Sequence, residues 1–158
     1  MRFFNTAGPV RSEDHYCLSA LDRLDRDELL MLIEQKKYFV LHAPRQTGKT
    51  SALLALRDFL NAKGHYRCVY VNVEVGQSAR EDVSAAIQAI IGELVSRART
   101  SLNDEFPASI RAEILDHSGP HQALNEILTR WAIRHTKPLI VLIDEIDALI
   151  GDTLISVL

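Results

Sequence analysis

The segment that most constrains the fold is residues 43–50, which read APRQTGKT. It matches the phosphate-binding pattern G-x-x-x-x-G-K-[ST], with Ala43 in the place of the first glycine. Residues 38–42 before it form a short apolar, β-prone run that predicts a buried strand. Residues 51–60 after it carry apolar side chains at helical spacing, which predicts a helix. A strand, a glycine-containing loop and a helix place backbone N–H groups and a helix N-terminus around a bound phosphate.

The residue types in this segment indicate how a nucleotide would be held. Lys49 would reach the β and γ phosphates, and the Thr50 hydroxyl would bind Mg²⁺. Ala43 fits the first position if the backbone there needs no positive φ. An ordinary polar turn that opens a helix remains the alternative for this segment alone. The predicted nucleotide-binding residues are Ala43, Pro44, Arg45, Gln46, Thr47, Gly48, Lys49, Thr50 and Ser51.

A second apolar run ends in two adjacent acidic residues, Asp144 and Glu145. Residues 138–143 (PLIVLI) lack alternation, which suits a strand buried on both faces of a parallel sheet. Ligands of open α/β sheets bind at the carboxyl ends of such strands. We expect Asp144 to hold Mg²⁺ through water and Glu145 to activate the attacking water as a general base. Alone, such a pair also occurs as a helix N-cap or as solvated acids.

Together, residues 42–51 (HAPRQTGKTS) and 142–147 (LIDEID) resemble the P-loop NTPases of the AAA-like ATPase group. The lead-in at residues 4–10 is also similar to that of bacterial AAA-like ATP-binding proteins. The resemblance implies an α/β fold, a three-layer P-loop core with a parallel sheet. It further implies ATP as ligand, Mg²⁺ as cofactor, and hydrolysis with Glu145 and Lys49 as catalytic residues. A guanine-reading Asn-Lys-x-Asp motif does not occur in the sequence, which argues against GTP.

Compared with that family, the sequence ends soon after the acidic pair. The family's sheet has five strands, and the strand with the polar sensor residue follows the acidic pair and lies between its strand and the loop strand. We therefore expect one incomplete domain over residues 1–158, truncated after the strand that ends in the acidic pair. It divides into a lead-in and helix at 1–37 and a partial nucleotide-binding core at 38–158. Residues 38–42 would then either pair directly with residues 138–143 or face a gap that a partner fills.

Two functions follow from this comparison. One is Mg·ATP binding, with hydrolysis in the intact family member. The other is a truncated, non-catalytic fragment that acts as a nucleotide-binding or protein-interaction module. An arginine finger is missing as well, so a second copy of the chain or a partner protein would supply it.

Weaker candidates lie elsewhere in the chain. His15 and Tyr16 are candidates for stacking on adenine, with packing as the alternative. The β-rich residues 68–75 predict a strand that, in the family, flanks the strand of the acidic pair. Asn72 and Glu74 near its end are therefore further candidates, with a polar surface as the alternative. Apolar spacing predicts helices at 22–37, 80–100, 104–117, 121–135 and 151–158.

Composition excludes several other classes. The net charge of −3 and the lack of a basic tract give no signal for nucleic-acid binding. The sequence contains neither a signal peptide nor an apolar run long enough to span a membrane, so we expect a cytoplasmic protein.

Cys17 and Cys68 are far apart and indicate neither a disulfide nor a zinc site. We expect Cys68 and Trp131 in the core. The break at residues 119–120 excludes a helical metal pair of the two flanking histidines.

Overall fold

The computed structural model describes residues 3, 4, 6, 13–16, 19–44, 46–80 and 82–157. Its contacts divide the chain into two compact units, residues 1–56 and 57–158. The described helices and strands are α1 (Arg26–Glu34), α2 (Lys49–Lys63), β1 (Arg67–Asn72), α3 (Val83–Leu102), α4 (Phe106–Ser118), α5 (Pro120–Arg134), β2 (Leu139–Asp144) and α6 (Asp152–Val157). Short 3₁₀ turns occupy Ala20–Arg23, Val73–Ala79 and Ile146–Ala148.

The sheet lies in the second unit. β1 and β2 pair in parallel, with a register that runs from Arg67 opposite Leu139 to Asn72 opposite Asp144. This pairing confirms the prediction that the strand in residues 68–75 flanks the strand of the acidic pair. Both carboxyl ends therefore meet at one edge, where the polar side chains of Asn72 and Asp144 are direct neighbours.

The core of the second unit lies on one face of this sheet. Apolar residues of α3 recur at three- and four-residue spacing, so one side of that helix packs on β1 while α5 packs on α3. Trp131 of α5 is fully buried here, which confirms its predicted role. The other most deeply buried members of this cluster are Val69, Val71, Val73, Ile87, Ile90, Ile91, Leu94, Ala98, Ile114, Ala123 and Ile127.

A single carboxylate joins the helices to the start of β1. Asp104, between α3 and α4, accepts hydrogen bonds from Trp131 Nε1 at 2.7 Å and from the Phe106 N–H at 2.9 Å. It also lies 3.0 Å from His135 Nε2 and pairs with the Arg67 guanidinium. Burial by itself would raise the pKa of Asp104. The hydrogen bonds from Trp131, Phe106 and His135, together with the charge of Arg67, nevertheless hold that pKa below its usual value.

The predicted strand at residues 38–42 is absent from the structure. Residues 37–44 carry no strand pairing among the described residues, and the side chains of Tyr38 and Val40 are 104% and 86% exposed. A β-strand is stable only when its N–H and C=O groups pair with a neighbour, and the described sheet contains only β1 and β2. The expectation of a buried strand at 38–42 is therefore wrong for this structure, and of the two alternatives for that strand, direct pairing with residues 138–143 is not found among the described residues.

Two element boundaries and the burial of one strand also differ from the predictions, for identifiable reasons. The strand predicted to reach residue 75 ends at Asn72, whose side-chain oxygen accepts the Glu74 N–H at 2.9 Å and starts a 3₁₀ turn. The helix predicted from residue 22 begins at Arg26, because the Asp25 side chain accepts the Glu28 N–H and caps it. β2 is not buried on both faces, since the side chain of Ile143 is 39% exposed.

The remaining helix predictions are confirmed with shifts of a few residues at the ends. α2 extends to Lys63, and Gly64 follows it with a φ of 72°, as expected of a glycine that ends a helix. Gly119, with a φ of 71°, separates α4 from α5 and therefore His117 from His121. Cys68 lies fully buried in β1, as predicted. None of the helices in the described ranges combines the length and apolar character that crossing a membrane requires.

Candidate functional site

The loop segment, defined here as residues 43–50, leads directly into α2. The Ala52 N–H donates to the Gly48 carbonyl at 3.0 Å, so Gly48 caps the helix that begins at Lys49. Gly48 has a φ of 81°, a conformation that favours glycine over every residue with a Cβ. The Thr47 hydroxyl donates to the Pro44 carbonyl at 2.7 Å and closes a turn within the segment. Arg45, one of the predicted ligand-binding residues, lies outside the described residues.

The backbone explains how alanine can begin this segment. Ala43 is not among the described residues with a positive φ, so its methyl group meets no backbone conflict. Gln46 instead adopts the left-handed conformation, with a φ of 59°. The departure from glycine at the first position is thus compatible with this loop.

The N-terminus of α2 is electrostatically positive. Unpaired N–H groups and the helix dipole give a helix N-terminus a partial positive charge. The first turn of α2 (KTSA) contributes Lys49 and no acidic residue. Lys49 is half-buried, while Thr50 and Ser51 are exposed. This end of the helix is therefore suited to an anion.

A second cation lies against the loop segment. A Cβ built on Gly48 would lie 2.8 Å from Arg23 Nη1 and 3.9 Å from Arg23 Cζ. The space beside the glycine is thus occupied by a guanidinium group. Arg23 was not among the residues expected from the sequence, because no local pattern links the 3₁₀ turn at Ala20–Arg23 to the loop.

The acidic pair lies at the carboxyl end of β2, as predicted. Asp144 is 6% exposed, and its two carboxylate oxygens accept the Tyr70 hydroxyl at 2.9 Å and the Glu145 N–H at 3.0 Å. Tyr70 and Asn72 are two residues apart in β1 and therefore lie on the same face of the strand, which brings both beside Asp144. The period-two pattern together with parallel pairing was the signal that would have identified Tyr70 beforehand.

Glu145 differs from Asp144 in its exposure and in the partners of its carboxylate. It is exposed, and it adopts the left-handed conformation with φ 58° and ψ 36°. Its carbonyl accepts the Ala148 N–H at 3.0 Å and starts the following 3₁₀ turn. Within the described ranges, its carboxylate has no hydrogen-bond or ion-pair partner. One acid of the pair is therefore fixed and buried, and the other is free to meet a solute.

The weaker candidates Asn72, His15 and Tyr16 have local contacts in the structure. Asn72 uses its side chain to cap the turn that follows β1, and Glu74 in that turn is exposed. His15 is buried, with its ring edge-on to Phe3 at 4.7 Å between centroids. The Tyr16 ring lies 5.2 Å from Phe4. These contacts favour the packing alternative for both aromatic residues.

The Asp144 carboxylate is of a ligand type that suits a hard cation such as Mg²⁺. Mg²⁺ usually keeps several waters and takes few protein ligands. The described residues contain no group of three or more His, Cys, Asp or Glu side chains that could form an all-protein metal cage.

Comparison with known proteins identifies the family. Neither a curated protein nor a solved structure gives a significant match to the chain. The family model of the AAA domain matches residues 32–158, a range that contains the loop segment, Asp144 and Glu145. This match confirms the resemblance of residues 42–51 and 142–147, and the chain therefore belongs to the AAA domain family.

Proposed function

We propose that this chain binds Mg·ATP through the loop segment, Ser51 and Asp144, and that Glu145 is the general base for ATP hydrolysis. The observation that carries the proposal is the start of α2. There, Gly48 has a left-handed backbone conformation and Lys49 follows it as the first residue of a fifteen-residue helix. The first turn of this helix contains no acidic residue. Family membership supports nucleotide binding at this segment.

The loop segment would hold the triphosphate mainly by charge and position. The Lys49 ammonium group neutralises the β and γ phosphates, and the N–H groups at the start of α2 donate to their oxygens. The Thr50 hydroxyl contributes an oxygen ligand for Mg²⁺. When bound, Mg²⁺ neutralises charge that develops on the phosphate oxygens.

The two carboxylates of the acidic pair would have different roles, one in metal binding and the other in proton transfer. Tyr70 and the Glu145 N–H orient the Asp144 carboxylate, which would hold Mg²⁺ through water. The exposed Glu145 carboxylate would accept a proton from the attacking water and so prepare it as the nucleophile. A positioned general base contributes roughly 10²- to 10⁴-fold to such a step.

Binding is tested by a thermal melt of the chain with and without Mg·ATP. Ligand at a hundredfold excess over Kd adds about 2.7 kcal/mol, which corresponds to about 5–10 °C for a chain of this size. We expect Lys49→Ala to abolish the shift. The matched control is Lys63→Ala, which removes the same charge from the exposed last residue of α2 and should leave the shift intact. An equal shift in the Lys49→Ala variant would refute the proposed site.

Hydrolysis is tested separately by steady-state phosphate release. Glu145→Gln should retain the ATP-dependent thermal shift and lose at least roughly 10²-fold in turnover. Asp147→Asn, at an exposed acid two residues further on, is the control and should not alter turnover. Unchanged turnover in Glu145→Gln would refute the role of this residue.

One observation favours a second function, that of a nucleotide-binding or protein-interaction module without turnover of its own. The apolar residues 38–42 remain outside the sheet, with Tyr38 and Val40 exposed. We propose that the family's three-layer core is completed only with further strands. We also propose that a second copy or a partner protein supplies an arginine finger. Phosphate release by the chain alone, lost in Glu145→Gln, would exclude this second function.

A further inference from the structure

We propose that Arg23 is a second phosphate-binding cation, one that contacts the polyphosphate of the nucleotide beside Gly48. This inference rests on the proposed function, since it adds a residue to the same site. It concerns a side chain from the 3₁₀ turn at Ala20–Arg23, outside both the loop segment and the acidic pair.

The first argument is the position of the guanidinium. Arg23 Nη1 lies only 2.8 Å from the point where a Cβ of residue 48 would be. Gly48 is the residue whose carbonyl begins the hydrogen bonding of α2, and Lys49 follows it. An anion held by the N–H groups at this helix end therefore meets the Arg23 guanidinium at the side of the glycine.

The second argument is electrostatic. A cation near a helix N-terminus is repelled by the dipole, and here Lys49 adds a further positive charge. Within the described ranges, Arg23 forms no ion pair that would offset this repulsion. The nearby Asp25 carboxylate instead accepts the Glu28 N–H at 3.1 Å as the cap of α1. Because Arg23 is exposed, its positive charge beside this helix end is accessible to an anionic ligand.

The third argument is that the backbone of Arg23 is held in place. Its turn is closed by a hydrogen bond from the Leu24 N–H to the Leu21 carbonyl at 3.1 Å, and α1 starts three residues after Arg23 with its own cap. Only the side chain of Arg23 needs to adjust when a ligand binds. A guanidinium can make two parallel hydrogen bonds to phosphate oxygens, which adds orientation as well as charge.

The test compares the affinities of ATP and inorganic tripolyphosphate for the wild type and four variants, one of which is the Lys49→Ala variant introduced above. A fluorescent ATP analogue is titrated in the presence of Mg²⁺, and tripolyphosphate is measured by competition. Arg23→Ala should weaken both ligands by roughly 10- to 100-fold, the range expected for a charge-assisted hydrogen bond. Arg23→Lys should recover part of this loss. Arg26→Ala, which removes the same charge from the exposed first residue of α1, should change either affinity less than about twofold.

The outcomes separate this inference from the proposed function. Binding that is lost in Lys49→Ala but unchanged in Arg23→Ala overturns the role of Arg23 and leaves the proposed function in place. Weakened ATP binding with unchanged tripolyphosphate binding also overturns it, because the contact would then be to the base or the sugar. If the wild type binds neither ligand, both the proposed function and the role of Arg23 are refuted. Melting of each variant without ligand checks that the fold is unchanged.

Discussion

Replacement of Asp104 by alanine provides the most direct test of how the second unit is held together. The change removes the acceptor shared by Trp131, His135 and Arg67. Trp131 is fully buried, so its N–H group would remain without a partner, at a cost of about 1–3 kcal/mol. The Arg67 side chain is only 19% exposed, and loss of one partner of a buried ion pair costs about 3–5 kcal/mol.

These two contributions overlap because both follow from the same lost carboxylate. We therefore expect Asp104→Ala to lower the free energy of unfolding by about 3–5 kcal/mol in total, or the melting temperature by on the order of 10 °C. Urea unfolding followed by Trp131 fluorescence measures this directly, since the chain has a single tryptophan. Circular dichroism of the same samples shows whether the helices unfold in the same transition.

The neighbouring Glu105 offers a matched control. Its carboxylate pairs with Arg99 at 2.7 Å, but the two side chains are 70% and 51% exposed. Exposed ion pairs contribute about 0–1 kcal/mol, so Glu105→Ala should have a small effect. A loss below about 1 kcal/mol in Asp104→Ala, or an equal loss in both variants, would refute the assignment of Asp104 as the link between β1 and the helices.

The same carboxylate predicts a pH dependence. Its pKa is lower in the folded state than in the unfolded chain, so the charged form stabilises the fold. The stability difference between wild type and Asp104→Asn should be fully present above about pH 4–5, well clear of the unfolded pKa. It should shrink as the pH falls below that range and through the folded pKa. A difference that grows on acidification would contradict this sign.

The remaining predictions concern single positions. Gly48→Ala should destabilise the fold by about 1–3 kcal/mol because of its positive φ. Gly92→Ala, inside α3 with the nearest side-chain atom 4.0 Å away, should raise stability by about 0.5–1 kcal/mol, and equal melting temperatures for these two variants would contradict at least one of these expectations. Tyr70→Phe removes a buried hydrogen bond to Asp144 and should cost about 1.5–3 kcal/mol in urea unfolding, whereas a wild-type midpoint would show that the bond is dispensable. Burial raises the pKa of the Cys68 thiol to about 12, so after the other cysteine is replaced by serine, a thiol reagent at neutral pH should react only upon unfolding. Rapid labelling in native buffer would count against that burial.

The sequence predicted best those elements whose signal is local and periodic. The spacing of Ile87, Ile90, Ile91 and Leu94 identified α3, and the unbroken apolar run before Asp144 identified β2. The parallel pairing of β1 with β2 followed from the family's strand order. Because parallel strands align their carboxyl ends, Asp144 and Glu145 had to lie at one edge of the sheet.

Features that depend on long-range partners were not predictable in this way. Residues 38–42 have strand-like composition, but a strand forms only where a neighbour accepts its hydrogen bonds. The contacts of Asp104 with Arg67 and Trp131 could not be predicted from a local pattern, since neither residue lies near Asp104 in the sequence. The approach of Arg23 to Gly48 likewise arises from a turn far upstream of the loop segment.

The left-handed backbone at Gln46 and Glu145 has a consequence for laboratory evolution of this chain. A residue with a Cβ is less stable in that conformation than glycine by about 1–2 kcal/mol. Selection of a random library for heat resistance alone should therefore enrich glycine at both positions. With the proposed catalytic role of Glu145, selection for turnover should still admit glycine at 46 but reject it at 145, because glycine there removes the carboxylate together with the strain. At position 145 the two selections are thus opposed, and a heat-resistant population would lose its activity there.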